Sequence, residues 1–327
     1  MRLVGSPDRR RFHPGVGSAS DRISRRPAAG RLRERVEIVL FIGPALALYL
    51  LFVLLPICLA VYYSLYHWNG LGAVTDFIGL DNYARAFQDE VFQKAVAHNF
   101  TLVALSLVFQ LPIGLGIALM LNRRLRGRAA LRLVFFAPYV LSEVITAVIW
   151  QLMLQPDGLV DATLRAVRLG GLVHLWLADT RIVLYSLFVV ITWKYLGFGI
   201  ILFLAGLQGI PAELNEAAAI DGAGGLQSIR HVTLPLLGPT IRIWAFLAII
   251  GSLQLFDLIW IMTLGGPANA SNSMVTYLID RGFRRYQFGY GSAAAVILFA
   301  ISLVFAIAYQ RYVLRRDIEG ALTRVAA

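Results

Sequence analysis

The sequence contains little charge for its length. Charged residues make up 15% of its 327 residues and hydrophobic residues 58%, whereas an average soluble domain is about a quarter charged and roughly half apolar. This balance excludes an ordinary soluble protein and indicates a membrane protein. Cysteine is almost absent as well. The single Cys58 lies in an apolar run, which excludes a disulfide framework and a cysteine-based metal site.

Lysine is nearly missing, although lysine and arginine together number 30. The two lysines follow Gln93 and Trp193, whereas a phosphate-binding P-loop needs a lysine directly after a glycine. The five histidines do not form an H-E-x-x-H zinc motif, and no G-x-S-x-G nucleophile motif is present. We therefore predict that the chain is not an enzyme and that it binds no cofactor or metal.

The net charge of +11 would suggest nucleic-acid binding in a soluble protein. In an apolar chain the better interpretation is a set of basic residues at the inner membrane surface, so no nucleic-acid partner is expected. Residues 1–37 are predicted to form a disordered basic cytoplasmic tail against anionic lipid headgroups. They do not resemble a signal peptide, because the first apolar run is too long. Residues 316–327 are predicted to form a short cytoplasmic C-terminal tail.

Six apolar runs are long enough to cross a bilayer, which takes about 20 residues. They are approximately 38–66, 98–121, 133–154, 182–207, 243–264 and 292–314. Such runs must be helical in lipid, where backbone groups have no water to bond. The sequence thus predicts an all-α polytopic membrane protein with six transmembrane helices in one domain, residues 38–315.

The distribution of arginine predicts the orientation of these spans. Arginines are dense before span one, between spans two and three, and after span six. By the positive-inside rule, both termini and the segment 210–237 are cytoplasmic. Arg281, Arg284 and Arg285 fall on the predicted external side and are exceptions to the pattern.

The cytoplasmic segment 210–237 has the local chemistry of two short helices, and we call it the elbow. Pro211 suits the first turn of a helix, and Gly222 is a natural stop at its end. A second helix over 226–233 is predicted to end before Pro235, since a residue that precedes proline avoids the helical region. An ordinary ordered loop is the alternative interpretation of this segment.

The elbow resembles the EAA signature of ABC importer permeases. The matching residues are Glu216, Ala217, Ala218, Asp221, Gly222, Ala223, Leu234 and Pro235. Flanking stretches over residues 38–315 resemble the carbohydrate-uptake branch, of the maltose and glycerol-3-phosphate type. Leu226 and Ile229 depart from the pattern, because aromatic residues are common at those positions. The resemblance implies the MetI-like permease fold.

The resemblance also implies partners and a mechanism. Such permeases pair with a second homologous permease, two ATPase subunits that use ATP and Mg, and an external solute-binding protein. They lie in the bacterial or archaeal cell inner membrane and import a sugar or sugar-like solute by alternating access. The elbow docks on the ATPase. By analogy, Glu216 and Asp221 order the elbow or pair with the ATPase, and Gly222 supplies the bend.

Three charged residues fall inside predicted spans: Glu143, Lys194 and Asp257. Charges at a helix centre cost about 2.5–3.5 kcal/mol on insertion scales, so they usually face the bundle interior. Glu143 and Lys194 are expected either to form a structural ion pair or to line the path of the substrate, with Trp193 beside them.

A second group of candidate path residues lies in the fifth run: Gln254, Phe256, Asp257 and Trp260. Aromatic faces with amide and carboxylate groups suit a sugar, although the same mixture suits helix packing. In the fourth run, Gly197 and Gly199 flank Phe198 and predict either a kink or a tight helix contact.

Other function classes remain open on sequence alone. An ABC permease for another solute, such as an amino acid or polyamine, would have the same elbow. An ion-coupled secondary carrier would need Glu143 or Asp257 to titrate and would leave the elbow unexplained. A membrane enzyme has no visible site.

Overall fold

Helices make up the regular structure of the residues that the computed structural model describes, 40–123 and 126–314. Within those residues there is no strand, only an isolated antiparallel bridge between Tyr66 and Phe77. The all-α prediction is confirmed. The predicted tails, 1–37 and 316–327, lie outside the described residues. The helices are α1 Leu40–Ser64, α2 Asp81–Gln88, α3 Glu90–Asn122, α4 Arg128–Val140, α5 Glu143–Leu154, α6 Leu159–Ala166, α7 Val183–Gln208, α8 Ala212–Ile220, α9 Gly225–Leu253, α10 Asp257–Thr263, α11 Met274–Ile279 and α12 Phe288–Leu314.

The chain divides into two compact units, one ending at Pro56 and the other beginning at Ile57. The first unit contains the beginning of α1, whose large apolar side chains are largely exposed. All helices from α2 onward belong to the second unit. Both candidate sites described below lie within it.

Five helices, α1, α3, α7, α9 and α12, are long and apolar enough to cross a membrane. A sixth span exists if α4 and α5 count as one, but these two helices meet at 99°. The single helix predicted over 133–154 is therefore wrong. Leu141 and Ser142 are extended at the break, and the Ser142 hydroxyl caps α5 by accepting a hydrogen bond from the Ile145 N–H.

The fifth predicted run, 243–264, is wrong at both ends, since α9 begins at Gly225 and ends at Leu253. Its end is fixed by a side chain from α3. The Asn99 amide donates to the carbonyls of Ser252 (2.6 Å) and Leu253 (3.2 Å), which satisfies acceptors that a helix end leaves unpaired. The chain can therefore stop the helix within a sequence that remains apolar.

Three Leu-Pro pairs share one backbone arrangement inside long helices. Pro56, Pro112 and Pro235 each follow a leucine whose N–H bonds to the carbonyl five residues earlier, in a π-helical turn. Proline lacks an N–H and its ring clashes with the carbonyl four residues before it. A wider turn accommodates such a disruption. The prediction that the second elbow helix ends before Pro235 is wrong for this reason, because α9 runs through the proline.

Helix α7 is at the centre of the packing in the second unit, against α3, α4 and α9. It is continuous, so the two glycines beside Phe198 make tight contacts rather than a kink. A β-carbon on Gly197 would overlap the carbonyl oxygen of Phe135 in α4, and one on Gly199 would lie 2.5 Å from the Trp244 indole nitrogen in α9. Both glycines allow neighbouring helices to approach α7 closely.

Candidate functional site

The elbow is closed by a hydrogen-bonded turn after α8. The N–H of Gly222 donates to Ala219 O (3.1 Å), and the N–H of Ala223 donates to Ala218 O (2.9 Å). Gly222 has φ +83°, the left-handed conformation that glycine adopts without strain. This pattern is a Schellman motif, which satisfies the last carbonyls of α8. The predicted helix stop at Gly222 is confirmed in the backbone.

Side chains then tie α8 to the first turn of α9. The Ser228 hydroxyl donates to Asn215 Oδ1 (2.9 Å), which joins the two helices, and the Gly224 N–H donates to Gln227 Oε1 (2.8 Å) at the start of α9 itself. None of these hydrogen bonds uses the carboxylate of Glu216 or Asp221. Asn215 and Ser228 were missed in the sequence, where short polar residues in a loop-like segment give no distinct signal.

The outer surface of the elbow is apolar and exposed. Ile220 is 87% exposed and Leu226 is 80% exposed. Ala217, Glu216 and Asp221 are exposed beside them. Large apolar side chains left exposed on a folded segment are typical of an interaction site.

A second candidate site is a cavity of about 300 Å³ between α3, α4, α7 and α9, which we call the central cavity. Its lining is mainly apolar, with no charged side chain among the lining residues. The lining includes the hydroxyl- and amide-bearing residues Ser106, Gln110, Tyr139, Tyr195 and Ser252. The remaining lining residues are Leu102, Phe188, Ile191, Phe198, Trp244, Leu247, Ala248, Gly251 and Leu255.

One wall of the central cavity is aromatic. Tyr139 and Phe198 stack with their ring centroids 5.2 Å apart, and Tyr195 lies 6.2 Å from Tyr139 in an edge-on arrangement. Flat apolar rings beside hydroxyl and amide groups match the mixed surface of a sugar, which has apolar C–H faces and polar edges. These residues were missed in the sequence. The signal that could have identified them is a polar or tyrosine side chain inside an apolar run.

None of the predicted path residues lines the central cavity, but one group contacts its wall. Lys194 Nζ lies 4.0 Å from Glu143 Oε1. Glu143 also accepts a hydrogen bond from the hydroxyl of Tyr195, which lines the cavity. Trp193 makes an edge-on contact with Trp150, with centroids 5.5 Å apart.

The other group, at residues 254–260, borders the central cavity through Leu255, although its predicted path residues do not line the cavity. Phe256 and Trp260 stack at 5.4 Å, and the Arg284 guanidinium lies 5.7 Å from the Trp260 ring. Gln254 follows the end of α9, and Asp257 is the first residue of α10, which packs against α5. Asp257 is close enough to Tyr195, the hydrogen-bond partner of Glu143, for the two side chains to interact electrostatically.

A polar network joins the N-terminus of α3 to α11 and to the turn that follows α11. Asp89 caps α3 by accepting from the N–H groups of Val91 and Phe92, and it also accepts from the Tyr277 hydroxyl (2.6 Å) and Arg281 (3.3 Å). Burial opposes ionisation of this carboxyl. The hydrogen bonds and the Arg281 charge outweigh it, so the pKa of Asp89 is lowered.

The same region accounts for the basic residues that did not fit the charge pattern. Arg281 is paired with Asp89, while Arg284 and Arg285 both contact Asp280, at 3.5 and 2.8 Å. Each of these three arginines therefore has an acidic partner within the same region.

The chain is similar to known proteins over most of its length. Residues 110–317 match the family described as binding-protein-dependent transport system inner membrane component. The trehalose/maltose transport system permease protein MalF of Thermococcus litoralis is 34% identical over 282 residues, covering 85% of this chain and 94% of that protein. The diacetylchitobiose uptake system permease protein NgcF of Streptomyces coelicolor is 32% identical over 312 residues, covering 90% of this chain and 88% of that protein.

The fold is also found in a solved assembly. One chain of a bacterial alginate ABC transporter, crystallised with an alginate pentasaccharide-bound periplasmic protein, superposes with a TM-score of 0.77. It is 24% identical, and the match covers 88% of this chain and 97% of that chain. The elbow motif, the helical fold and the matched relatives agree, and the chain belongs to the family of binding-protein-dependent transport system inner membrane components, the MetI-like permeases of ABC importers.

Proposed function

We propose that this chain is a membrane-spanning permease subunit that imports a sugar, driven by ATP hydrolysis in separate subunits. The elbow is the observation that supports this most strongly. Its backbone turn is closed by hydrogen bonds and its exposed surface contains Ile220 and Leu226. A docking surface of this kind suits an ATPase partner, which would bind and use ATP and Mg.

The stiffness of the elbow matters for coupling. Moving a two-state transporter from 1:99 to 99:1 takes a free-energy difference of about 5.5 kcal/mol. We propose that the contact between elbow and ATPase transmits this difference to the spans through α9, which is continuous with the elbow. Ala217, Ala218 and Ala223 allow close approach, while Glu216 and Asp221 face the partner.

We further propose that the central cavity holds the solute during alternating access. A sugar is the favoured class because the relatives include permeases named for trehalose, maltose and diacetylchitobiose, and because the cavity combines aromatic rings with uncharged polar groups. Glu143, Lys194, Trp193 and the group at residues 254–260 stay candidates for other stages of the path.

The proposed assembly contains a second homologous permease, two ATPase subunits and an external solute-binding protein. The aligned alginate transporter was crystallised with a periplasmic protein, which supports the last of these. In this arrangement the chain is a multi-pass protein of the bacterial or archaeal inner membrane, with the elbow and both termini in the cytoplasm.

The test is uptake of radiolabelled maltose, trehalose or N,N′-diacetylchitobiose by cells that express the complete transporter. We expect uptake to survive a proton uncoupler while ATP is maintained and to stop on ATP depletion. The opposite pattern would indicate an ion-coupled carrier and would contradict the proposal.

A pair of matched variants tests the docking surface. Ile220→Asp places a charge on a residue that is 87% exposed, so the fold should persist while the ATPase subunits no longer co-purify. Leu71→Asp is the control, because Leu71 is 69% exposed between α1 and α2. If the Ile220→Asp variant still co-purifies with the ATPase, the proposal that this surface docks the ATPase is wrong.

A further inference from the structure

The break in the third span leaves backbone groups without helical partners. Helix α4 ends at Val140, α5 begins at Glu143, and the two meet at 99°. The last carbonyls of any helix lack an N–H donor from the following turn. In an apolar bundle, other groups must satisfy them.

Lys194 supplies donors to these carbonyls from α7. Its side chain is 3% exposed, and Nζ donates to Tyr139 O (3.3 Å) and to Leu141 O. A cation at the C-terminal end of α4 is also favoured by the helix dipole. The buried lysine therefore has a specific role at the break, beyond being one half of an ion pair.

Glu143 makes the complementary contact on the other side of the break. It is the first residue of α5, where the helix dipole favours an anion. Its carboxylate lies 4.0 Å from Lys194 Nζ and accepts a hydrogen bond from the Tyr195 hydroxyl. One charge thus lies at the end of α4 and the opposite charge at the start of α5.

Both charges act on residues that form the aromatic wall of the central cavity. Lys194 binds the backbone carbonyl of Tyr139, whose ring stacks on Phe198, and Glu143 binds the hydroxyl of Tyr195. We propose that Lys194 and Glu143 are positioning residues, a latch that fixes the break in the third span and thereby holds Tyr139 and Tyr195 against the solute. The cavity part of this inference rests on the proposed function.

The first test measures the break directly, without a solute. Spin labels are placed on α4 at Leu133 (68% exposed) and on α5 at Leu152 (58% exposed), after Cys58→Ser, in the full-length protein in nanodiscs. Distances between labels are then measured by pulsed electron resonance. The unaltered latch should give one narrow distribution, and Lys194→Met should broaden or shift it.

Conservative variants separate a latch from a general loss of stability. Glu143→Gln keeps an acceptor for Tyr195 and should retain the narrow distribution, whereas Glu143→Leu removes the acceptor and should lose it. Lys94→Met is the matched control, since Lys94 is the other lysine of the chain and is exposed. If Lys194→Met does not insert into the membrane, Tyr195→Phe replaces it in the comparison. This variant keeps both charges but removes the hydroxyl that donates to Glu143, so the distribution of distances between the labels should broaden.

The second test measures uptake of maltose, trehalose and N,N′-diacetylchitobiose by the complete transporter. Loss of one ordered aromatic contact corresponds to about a tenfold rise in the half-saturating sugar concentration. We expect this rise for Glu143→Leu and Tyr195→Phe, and a smaller one for Glu143→Gln.

The outcomes distinguish the two proposals. An unchanged label distribution in both Lys194→Met and Glu143→Leu would overturn the latch, even if sugar uptake is normal in the unsubstituted protein. A distribution that responds as expected, in a protein that imports none of the three sugars, would support the latch and contradict the proposed sugar transport.

Discussion

The close contact between α4 and α7 makes Gly197→Ala a sharp test of the packing. A β-carbon at this position would overlap the Phe135 carbonyl oxygen and lie 2.8 Å from its carbonyl carbon and 2.9 Å from Phe136 Cα. All three atoms are backbone and cannot rotate away. The two helices must therefore separate by more than an ångström, because the β-carbon would lie 2.0 Å from the Phe135 oxygen and ordinary contacts lie at 3.4–4 Å.

The magnitude follows from two opposing effects. Overpacking a well-packed contact costs about 1–3 kcal/mol, while replacing a helical glycine by alanine gains roughly 0.5–1 kcal/mol. Gly116→Ala on α3 shows the second effect alone, because no atom lies within 4 Å of its β-carbon position. The difference between the two variants is thus about 1–3 kcal/mol, or roughly 2–12 °C in melting temperature.

The assay is fluorescence-detected gel filtration of the detergent-solubilised protein after heating, with both alanine variants processed side by side. Gly197→Ala should also weaken sugar uptake, because moving α4 away from α7 separates Tyr139 from Phe198. Equal melting temperatures for Gly197→Ala and Gly116→Ala would refute the packing argument.

Three further predictions concern other parts of the chain. Gly222→Ala should weaken co-purification of the ATPase, because an alanine in the left-handed conformation costs about 1–2 kcal/mol. Gly222→Asn should retain the ATPase, since asparagine adopts that conformation more readily. Equal retention of the ATPase by both variants would contradict the role of the bend. Asp89→Asn keeps the helix cap but loses the charge in its contacts with Tyr277 and Arg281, so it should lower thermal stability at pH 7 by about 1 kcal/mol. The pKa of Asp89 is lowered by folding. The carboxylate therefore contributes fully to the stability of the folded protein above about pH 4, and this contribution is lost as the pH falls through the lowered pKa. The difference in melting temperature between Asp89→Asn and the unsubstituted protein should shrink below that pH. Asn99→Leu should cost at least about 2 kcal/mol in the same melting assay, since it leaves the Met274 N–H and two carbonyls at the end of α9 without their partner.

Composition and the apolar runs were enough to predict the helical class and the approximate positions of four spans, α1, α3, α7 and α12. They did not reveal the 99° break at Leu141 and Ser142 or the end of α9 at Leu253. Hydropathy measures how apolar a stretch is, whereas these features depend on which distant side chains satisfy the backbone. Lys194 and Asn99 do so here, from helices far away in sequence.

The elbow was predictable in part. Glycine chemistry identified the stop at Gly222, because a left-handed residue is a local requirement. The continuation of α9 through Pro235 was not predictable from the proline rule, since a π-helical turn over Ile229–Thr233 removes the conflict. The aromatic wall of the central cavity depends on packing between α4 and α7, which no local pattern encodes.

The measurement that tests the central claim most directly is purification of the tagged chain from membranes under mild conditions, followed by identification of the proteins bound to it. The account predicts a P-loop ATPase and a second permease of the same family, and it predicts that the ATPase is lost when Ile220 is replaced by Asp. A chain that purifies alone and transports a solute when reconstituted alone would contradict the account.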